Sequence, residues 1–329
     1  MIISKTPLRM SFAGGGSDLQ SYYSNGYGAV LSTSIDKYVY VMVNRKFDDY
    51  IRVGYSQTEY VNNINEIGHN IIRETLRKVD LTTTGIDIVY MSDVLPRKWG
   101  TGLGFSSSLT VGLLKALYCL KGEEVTPTRL AAEACEIEID ILDSPIGKQD
   151  QYAAAFGGLN YIKFKSDETV LINPLNLNEN EISFLNKKLL LFYTGLSSES
   201  SPVLKEQRHN TETKESTRKN IGKMVELANN LKVDFDSGIV DTLGKRLNEG
   251  WNIKKGLASK ITNDSIDKYY SLAMNLGAEG GKILGSGGGG FILLYSDEAH
   301  HPKIRKGLSD LKELNFCISS SGSEIIYNK

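Results

Sequence analysis

Residues 95–120 read LPRKWGTGLGFSSSLTVGLLKALYCL, a glycine-rich turn that leads through three serines into an apolar segment. From residue 106 onward Lys115 is the only charged residue, which is typical of a helix that is buried on most sides. Serine is a favoured N-cap residue, so the helix is predicted to begin at the cluster 106–108. The free N–H groups and the positive end of such a helix form a cradle for phosphate, although a flexible turn with a serine cap has the same sequence.

A second glycine cluster, GSGGGG at 285–290, satisfies the dinucleotide pattern G-x-G-x-x-G. That pattern follows a strand and opens a helix, whereas here FILLY at 291–295 is predicted to be a strand that follows the glycines. A nicotinamide dehydrogenase is therefore disfavoured. The loop either closes over a substrate or phosphate, or forms a tight turn. The ordinary phosphate loop, G-x-x-x-x-G-K-[ST], does not occur in the sequence.

Glu138 interrupts an apolar stripe. In TRLAAEACEIEIDIL, at 128–142, it shares the four-residue spacing of Leu130, Ala134 and Leu142, so its carboxylate is predicted to face the core. A buried carboxylate needs a basic partner or a metal, unless both faces of the helix are partly exposed.

Two further carboxylates follow turns. Asp150 lies between the turn in SPIGKQDQ and the small residues AAAFGG, and is predicted to enter a site. Asp18 follows the glycines of AGGGSD, just after a predicted strand at 8–13. That strand is predicted to be half-buried, with Arg9 pointing away from its apolar face. Asp18 either caps a helical turn or accepts hydrogen bonds from the hydroxyls of a polyol.

The 329 residues suggest two domains, and the asparagine-rich stretch at 165–187 places the boundary between 1–176 and 177–329. Strands and helices do not alternate regularly, which favours an α+β fold.

A net charge of −1 argues against nucleic acid or an anionic membrane as the main partner, and nothing in the sequence indicates an oligomeric state. The start lacks a signal peptide and the cysteines lack metal-type spacing, so a cytoplasmic protein is expected. The four histidines fit neither a zinc site nor a Ser-His-Asp triad, and Mg²⁺ fits oxygen ligands better.

Four segments in this order and separation resemble the GHMP superfamily of small-molecule kinases. They are PLRMSFAGGGSDL at 7–19, GTGLGFSSSLTVGLL at 100–114, IGKQDQYAAAFGG at 146–158 and GAEGGKILGSGGGGFILLY at 277–295. The first and third resemble most the branch that phosphorylates the anomeric hydroxyl of D-glycero-D-manno-heptose 7-phosphate on the route to GDP-heptose. The resemblance implies a two-domain α+β kinase fold with the active site between the domains, and ATP and a sugar phosphate as substrates.

The resemblance also implies residue roles. Asp150 would act on the attacking hydroxyl with Arg9 beside it, and Ser106 and Glu138 would hold Mg²⁺. The residues that would wrap the ATP phosphates are Gly100, Gly102, Leu103, Gly104, Phe105, Ser106, Ser107 and Ser108. Those that would border the sugar are Asp18, Gly15, Gly16, Gly287 and Gly288.

Two positions depart from the common family pattern. Phe105 stands where serine is common, which removes a hydroxyl donor, and Gly15 stands where many sugar kinases carry glutamate. The candidates for gripping a distal phosphate are Arg97, Lys98, Lys148 and Lys163, which are otherwise surface charges. The alternatives are a fucokinase-like or other sugar-1-kinase, or a sugar sensor that binds ATP without turnover. The joint presence of Arg9, Ser106, Glu138 and Asp150 argues against the sensor.

Overall fold

The computed structural model describes residues 1–81, 85–94, 101–196 and 200–329. The strands, in chain order, are β1 (Ile2–Ala13), β2 (Tyr27–Arg45), β3 (Ile51–Gly54), β4 (Thr58–Val61), β5 (Ile86–Ser92), β6 (Leu159–Lys165), β7 (Val170–Pro174), β8 (Leu189–Tyr193), β9 (Ala278–Ile283), β10 (Phe291–Ser296), β11 (Lys312–Glu313), β12 (Ile318–Ser319) and β13 (Glu324–Asn328).

The α-helices are α1 (Gln20–Tyr23), α2 (Asn70–Lys78), α3 (Phe105–Lys121), α4 (Pro127–Cys135), α5 (Gln149–Phe156), α6 (Glu179–Lys188), α7 (Ser200–Thr213), α8 (Glu215–Asp236), α9 (Leu243–Lys254), α10 (Asp264–Asn275) and α11 (His301–Gly307). Short 3₁₀ turns occupy Ile64–Glu66 and Glu298–His300, and a π-helical segment, Glu136–Ile141, continues directly from α4.

The first sheet is organised around β2, whose 19 residues are long enough to pair antiparallel with β1, β5 and β6. Its strand order is β13-β1-β2-β5-β3-β4, and β6, β7 and β12 join at the other end of β2. Helix α3 packs against β1 and β2, as its apolar sequence requires. This packing places the N-terminus of α3 beside the middle of β1, where the Arg9 N–H donates to the Leu103 carbonyl at 3.0 Å.

The second sheet has the order β11-β8-β10-β9, with β8 and β10 paired from Phe291 opposite Tyr193 to Tyr295 opposite Leu189. Helices α9 and α10 pack against β9 and bury Trp251. The strand predicted at 291–295 and the α+β class are confirmed. The domain division at 176/177 stays a prediction, and β12 and β13 return from the second half to pair with β2 and β1.

The prediction of a half-buried strand at 8–13 was wrong, because both faces of this part of β1 are buried. Arg9 is 4% exposed and Ser11 is 6% exposed. The polar face is covered from both halves of the chain: Asp150 and the Gly102 carbonyl bond Arg9, and Lys282 Nζ of β9 donates to the Ser11 carbonyl at 2.8 Å. The alternation of polar and apolar residues therefore marks a face that lines a site, where polar groups meet partners other than water.

Candidate active site

Arg9 of β1 and Asp150 in the first turn of α5 form a two-pronged ion pair. Arg9 Nε donates to Asp150 Oδ1 at 2.6 Å and Nη2 donates to Oδ2 at 2.5 Å. The third nitrogen, Nη1, donates to the Gly102 carbonyl at 2.6 Å. Because a guanidinium is planar and rigid, these three bonds fix the carboxylate of Asp150 relative to the glycine turn before α3.

The turn before α3 depends on glycine at two positions. Gly102 and Gly104 have φ values of +75° and +76°, in the left-handed region that other residues rarely adopt. A Cβ atom on Gly102 would lie 2.5 Å from the Leu284 carbonyl oxygen, and one on Gly285 would lie 2.5 Å from the Gly102 Cα. The two glycine loops of the sequence therefore pack backbone against backbone.

The two loops border a cavity of about 430 Å³, here called the wider cavity, with Arg9 and Asp150 in its wall. Its other polar and glycine wall residues are Thr101, Gly102, Gly104, Ser106, Ser107, Ser201, Gly285, Ser286, Gly287 and Gly289. The N-terminus of α3 opens onto this space, which is an arrangement suited to a polyphosphate.

The structure separates the residues predicted for the phosphate loop. Phe105 lines the wider cavity and packs against the Tyr90 ring at a centroid distance of 6.0 Å. Leu103 is fully buried in the core, and the Ser108 hydroxyl donates to the Pro7 carbonyl at 2.8 Å, so neither side chain reaches the cavity. Gly288 lines neither this cavity nor its neighbour, and Gly100 lies outside the described residues.

A second cavity of about 80 Å³, here called the smaller cavity, adjoins the first and shares Arg9 and Asp150 with it. Its other polar and glycine wall residues are Ser11, Gly15, Gly16, Asp18, Gly147, Gln149, Gln207, Lys254, Lys282, Gly285 and Ser286. Asp150 therefore faces both cavities. This position suits a group that acts between a phosphate donor and an acceptor.

Asp18 is 3% exposed and lies in the wall of the smaller cavity. Its Oδ1 accepts from the Gly16 N–H at 3.0 Å, and its Oδ2 accepts from Gln149 Nε2 at 2.9 Å. Burial raises the pKa of Asp18 and the nearby charge of Asp150 raises it further, while these hydrogen bonds oppose the rise. The carboxylate is thus held in a fixed direction, as recognition of a hydroxyl requires.

Glu138 lies in the π-helical segment after α4 and is 2% exposed, as its place on the apolar stripe predicted. Its Oε2 accepts from Gln151 Nε2 at 2.8 Å, and it forms no ion pair with any basic side chain of the described ranges. Burial raises the pKa of Glu138 to about 7, nearby hydroxyls of Ser106 and Ser107 and the Gln151 amide lower it, and Asp150 raises it.

The oxygens around Glu138 fit a hard cation. Among the described residues, the buried Ser107 Oγ and Gln151 Oε1 find no hydrogen-bond partner of regular geometry. Hydroxyl, amide and carboxylate oxygens are the ligand type that Mg²⁺ takes. Among the parts of the chain that the structure describes, no three His, Cys, Asp or Glu side chains gather into a metal site. A magnesium ion here would therefore complete its shell with phosphate oxygens and water.

Three polar residues of the smaller cavity were missed by the sequence reasoning. Gln149 and Lys282 lie inside the quoted motifs but were given no role, and Lys254 follows Leu243, Leu247 and Trp251 on the apolar stripe of α9. A lysine on an apolar stripe is the same kind of signal that identified Glu138. Burial and repulsion from Arg9, opposed by the attraction of Asp18, together lower the pKa of Lys254 to about 8.

The four basic residues proposed for a distal phosphate lie elsewhere. Lys148 pairs with Glu168, and Lys163 lies 4.0 Å from the centre of the Tyr27 ring. Neither lines either cavity. Arg97 and Lys98 lie outside the described residues.

Two family models match the chain: the GHMP kinases N terminal domain at residues 59–158 and the GHMP kinases C terminal domain at 231–313. The chain belongs to the GHMP kinases. The sequence prediction of this family is confirmed, and so are the two-domain GHMP kinase fold and ATP-dependent phosphoryl transfer to a sugar.

Relatives of this GHMP kinase include the D-glycero-alpha-D-manno-heptose 7-phosphate kinase of Campylobacter jejuni, 29% identical over 93% of each chain. The crystal structure of a D-glycero-D-manno-heptose 1-phosphate kinase from Bacteroides thetaiotaomicron superposes with a TM-score of 0.83 at 24% identity, covering all of both chains. That of a putative sugar kinase from Campylobacter jejuni gives 0.77 at 27% identity, covering 98% and 97%. None of the helices in the described part of this kinase combines the length and apolar character needed to cross a bilayer.

Proposed function

We propose that this kinase transfers the γ-phosphoryl group of ATP to the anomeric hydroxyl of D-glycero-D-manno-heptose 7-phosphate, giving the 1,7-bisphosphate as a precursor of GDP-heptose. The observation that carries the proposal is the position of Asp150, which is gripped by Arg9 and faces both cavities. Support for the heptose comes from the similarity to the Campylobacter jejuni enzyme along nearly the whole of both chains.

In this proposal ATP occupies the wider cavity and the sugar occupies the smaller one. The backbone N–H groups at the start of α3 and the loop 285–290 hold the phosphates, and Asp18 accepts hydrogen bonds from sugar hydroxyls. Gly15 and Gly16 border the smaller cavity beside the sugar, whereas Gly287 borders the wider cavity and allows its loop to pack closely on the backbone of Ile261. Gly288 lines neither cavity.

The transfer forms a bond from the anomeric oxygen to the γ-phosphorus and breaks the bond from that phosphorus to the bridging oxygen of ADP. Asp150 orients the hydroxyl and accepts its proton as the bond forms. Arg9 holds Asp150 in place and adds positive charge where the transferring group carries negative charge. Little covalent chemistry is required of the protein, since positioning and charge stabilisation supply most of the catalysis.

Ser106 and Glu138 would hold Mg²⁺ against the phosphates. When bound, the ion neutralises charge on the phosphate oxygens. Glu138 suits this role because its buried carboxylate lacks a basic partner among the residues described, and the pKa of about 7 reflects that lack.

Phosphorus NMR tests the proposal directly. The protein is incubated with Mg-ATP and, separately, heptose 7-phosphate, mannose, fucose or galactose. A new anomeric phosphate signal with heptose 7-phosphate alone is expected. Turnover of an unphosphorylated sugar instead would keep the kinase chemistry and reject the heptose assignment. ATP binding without turnover of any sugar would favour the sensor.

A further inference from the structure

Two lysines of the second half meet in the smaller cavity without a carboxylate partner. Lys254 at the end of α9 is 6% exposed and Lys282 on β9 is 4% exposed. Lys254 Nζ donates to the carbonyls of Gly285 at 2.5 Å and Ile283 at 3.3 Å. Lys282 Nζ donates to the Ser11 carbonyl at 2.8 Å. Within the described ranges neither ammonium forms an ion pair.

The charges that face the smaller cavity do not balance around these lysines. The cavity wall holds three basic side chains and two carboxylates. Asp150 is already engaged by two nitrogens of Arg9, which leaves Asp18 facing Lys254 and Lys282. Burying a charge without a partner is costly, so a site that keeps two such lysines is suited to an anionic ligand.

We propose that Lys254 and Lys282 bind the phosphate group that the acceptor sugar already carries, which makes this kinase specific for phosphorylated sugars. The inference rests on the proposed function, because it assigns the far end of the same substrate. Neither lysine lines the wider cavity, so the ATP phosphates occupy a different place. Each ammonium has three N–H donors, enough to keep a carbonyl contact and add a phosphate oxygen.

The electrostatics of the two lysines agree with this assignment. Burial lowers the pKa of Lys282 well below its usual range, and repulsion from Lys254 and Arg9 lowers it further. A dianion beside the two lysines opposes these effects and favours their charged forms. Substrate binding is therefore coupled to proton uptake by the lysines, and for Lys254 this uptake is expected near pH 8, where a sugar phosphate has already lost its second proton.

The test uses Lys254→Met, Lys282→Met and the matched control Lys255→Met, which alters the next residue along the chain and lines neither cavity. Lys254→Gln keeps a donor toward the Gly285 carbonyl without the charge, and serves if the methionine variant does not fold. Steady-state kinetics are measured with heptose 7-phosphate and with unphosphorylated D-glycero-D-manno-heptose. Calorimetric titration in two buffers of different ionisation enthalpy counts the protons taken up.

Loss of either lysine is expected to raise KM for heptose 7-phosphate about 10- to 100-fold, while KM for ATP stays within about threefold. The ratio of KM for heptose 7-phosphate to KM for the unphosphorylated heptose is expected to rise in both lysine variants, and all constants of the Lys255 control are expected to match the wild type. Proton uptake at about pH 8 is expected to shrink in both lysine variants.

Three outcomes overturn the assignment. A rise in KM for ATP instead would indicate that the lysines bind the nucleotide. An equal rise in KM for both heptoses would indicate that they bind sugar hydroxyls. A wild-type enzyme that accepts only unphosphorylated sugars would show that the substrate has no phosphate for the lysines to bind. If the wild type phosphorylates a different sugar phosphate and the lysine variants raise KM for it, the heptose assignment fails while the phosphate site stands.

Discussion

Replacing Gly102 with alanine tests whether contact between the two glycine loops positions the catalytic pair. The added Cβ atom would lie 2.5 Å from the Leu284 carbonyl oxygen, so the two backbones must separate by about 0.9 Å to reach an ordinary 3.4 Å contact. The Gly102 carbonyl accepts from Arg9 Nη1 at 2.6 Å, and Arg9 holds Asp150. The separation is therefore transmitted to the Asp150 carboxylate, for which we propose a role in orienting the acceptor hydroxyl.

A displacement of about 1 Å at a reacting group costs roughly 100-fold in rate, so kcat of Gly102→Ala is expected to fall by about that factor. Gly122→Ala is the matched control. Gly122 has the same φ of +75° at the other end of α3, and a Cβ there meets no atom within 4 Å. Both variants carry the cost of a left-handed alanine, about 1 to 2 kcal/mol, but only Gly102→Ala moves the loops.

The assay compares kcat, KM for ATP and the free energy of unfolding for the two variants and the wild type. Similar losses of stability with a large difference in kcat are expected. A folded Gly102→Ala enzyme whose kcat lies within about threefold of Gly122→Ala would refute the reasoning, because the loops would then not position Arg9 and Asp150.

Asp150→Asn is expected to lower kcat about 100- to 10,000-fold while ATP still binds in a calorimetric titration. The control Asp140→Asn, at an exposed position, should match the wild type. Near-normal turnover of Asp150→Asn would exclude a role of Asp150 in the reaction. Glu138→Gln is expected to raise the Mg²⁺ concentration needed for half-maximal activity at least about tenfold. The control Glu136→Gln, on the surface of the same segment, should leave that concentration unchanged. An unchanged magnesium dependence of Glu138→Gln would count against Glu138 as a ligand. Burial lowers the pKa of His69 below its usual 6.5 in the folded protein. As the pH falls below 6.5, His69 is therefore protonated in the unfolded chain before it is protonated in the folded protein, and the free energy of unfolding decreases. His69→Asn retains an acceptor for the cap of α2 and is expected to flatten urea-unfolding stability between about pH 7 and pH 5; an unchanged slope would rule out His69 as its source.

Several parts of the site follow from local sequence. The glycine turn before α3 predicted a helix start open to phosphate, and the place of Glu138 on an apolar stripe predicted a buried carboxylate. The serine cap was wrong, because α3 begins at Phe105 and its N-cap is the left-handed Gly104, with no side-chain cap. The prediction for Glu138 uses only periodicity, which acts over a few residues. The same reasoning applied to Lys254 on α9 would have identified a second buried charge.

Other parts depend on contacts between distant segments. The alternation at 8–13 predicted a half-buried strand, yet its polar face is covered by Asp150, Gly102 and Lys282 of β9, all more than 90 residues further along the chain. The return of β12 and β13 to the first sheet and the packing of Gly102 on Gly285 are likewise set by tertiary structure.

The sequence alone determined the α+β class and the buried position of Glu138, because apolar periodicity is a local property. The roles expected for Arg9, Asp18 and Asp150 came from the resemblance of four segments to the GHMP kinases. The tertiary structure alone decided that Asp150 faces both cavities and that Lys254 and Lys282 share the smaller one. Those placements depend on how two sheets pack across one core. Such packing brings together side chains that no spacing along the chain relates.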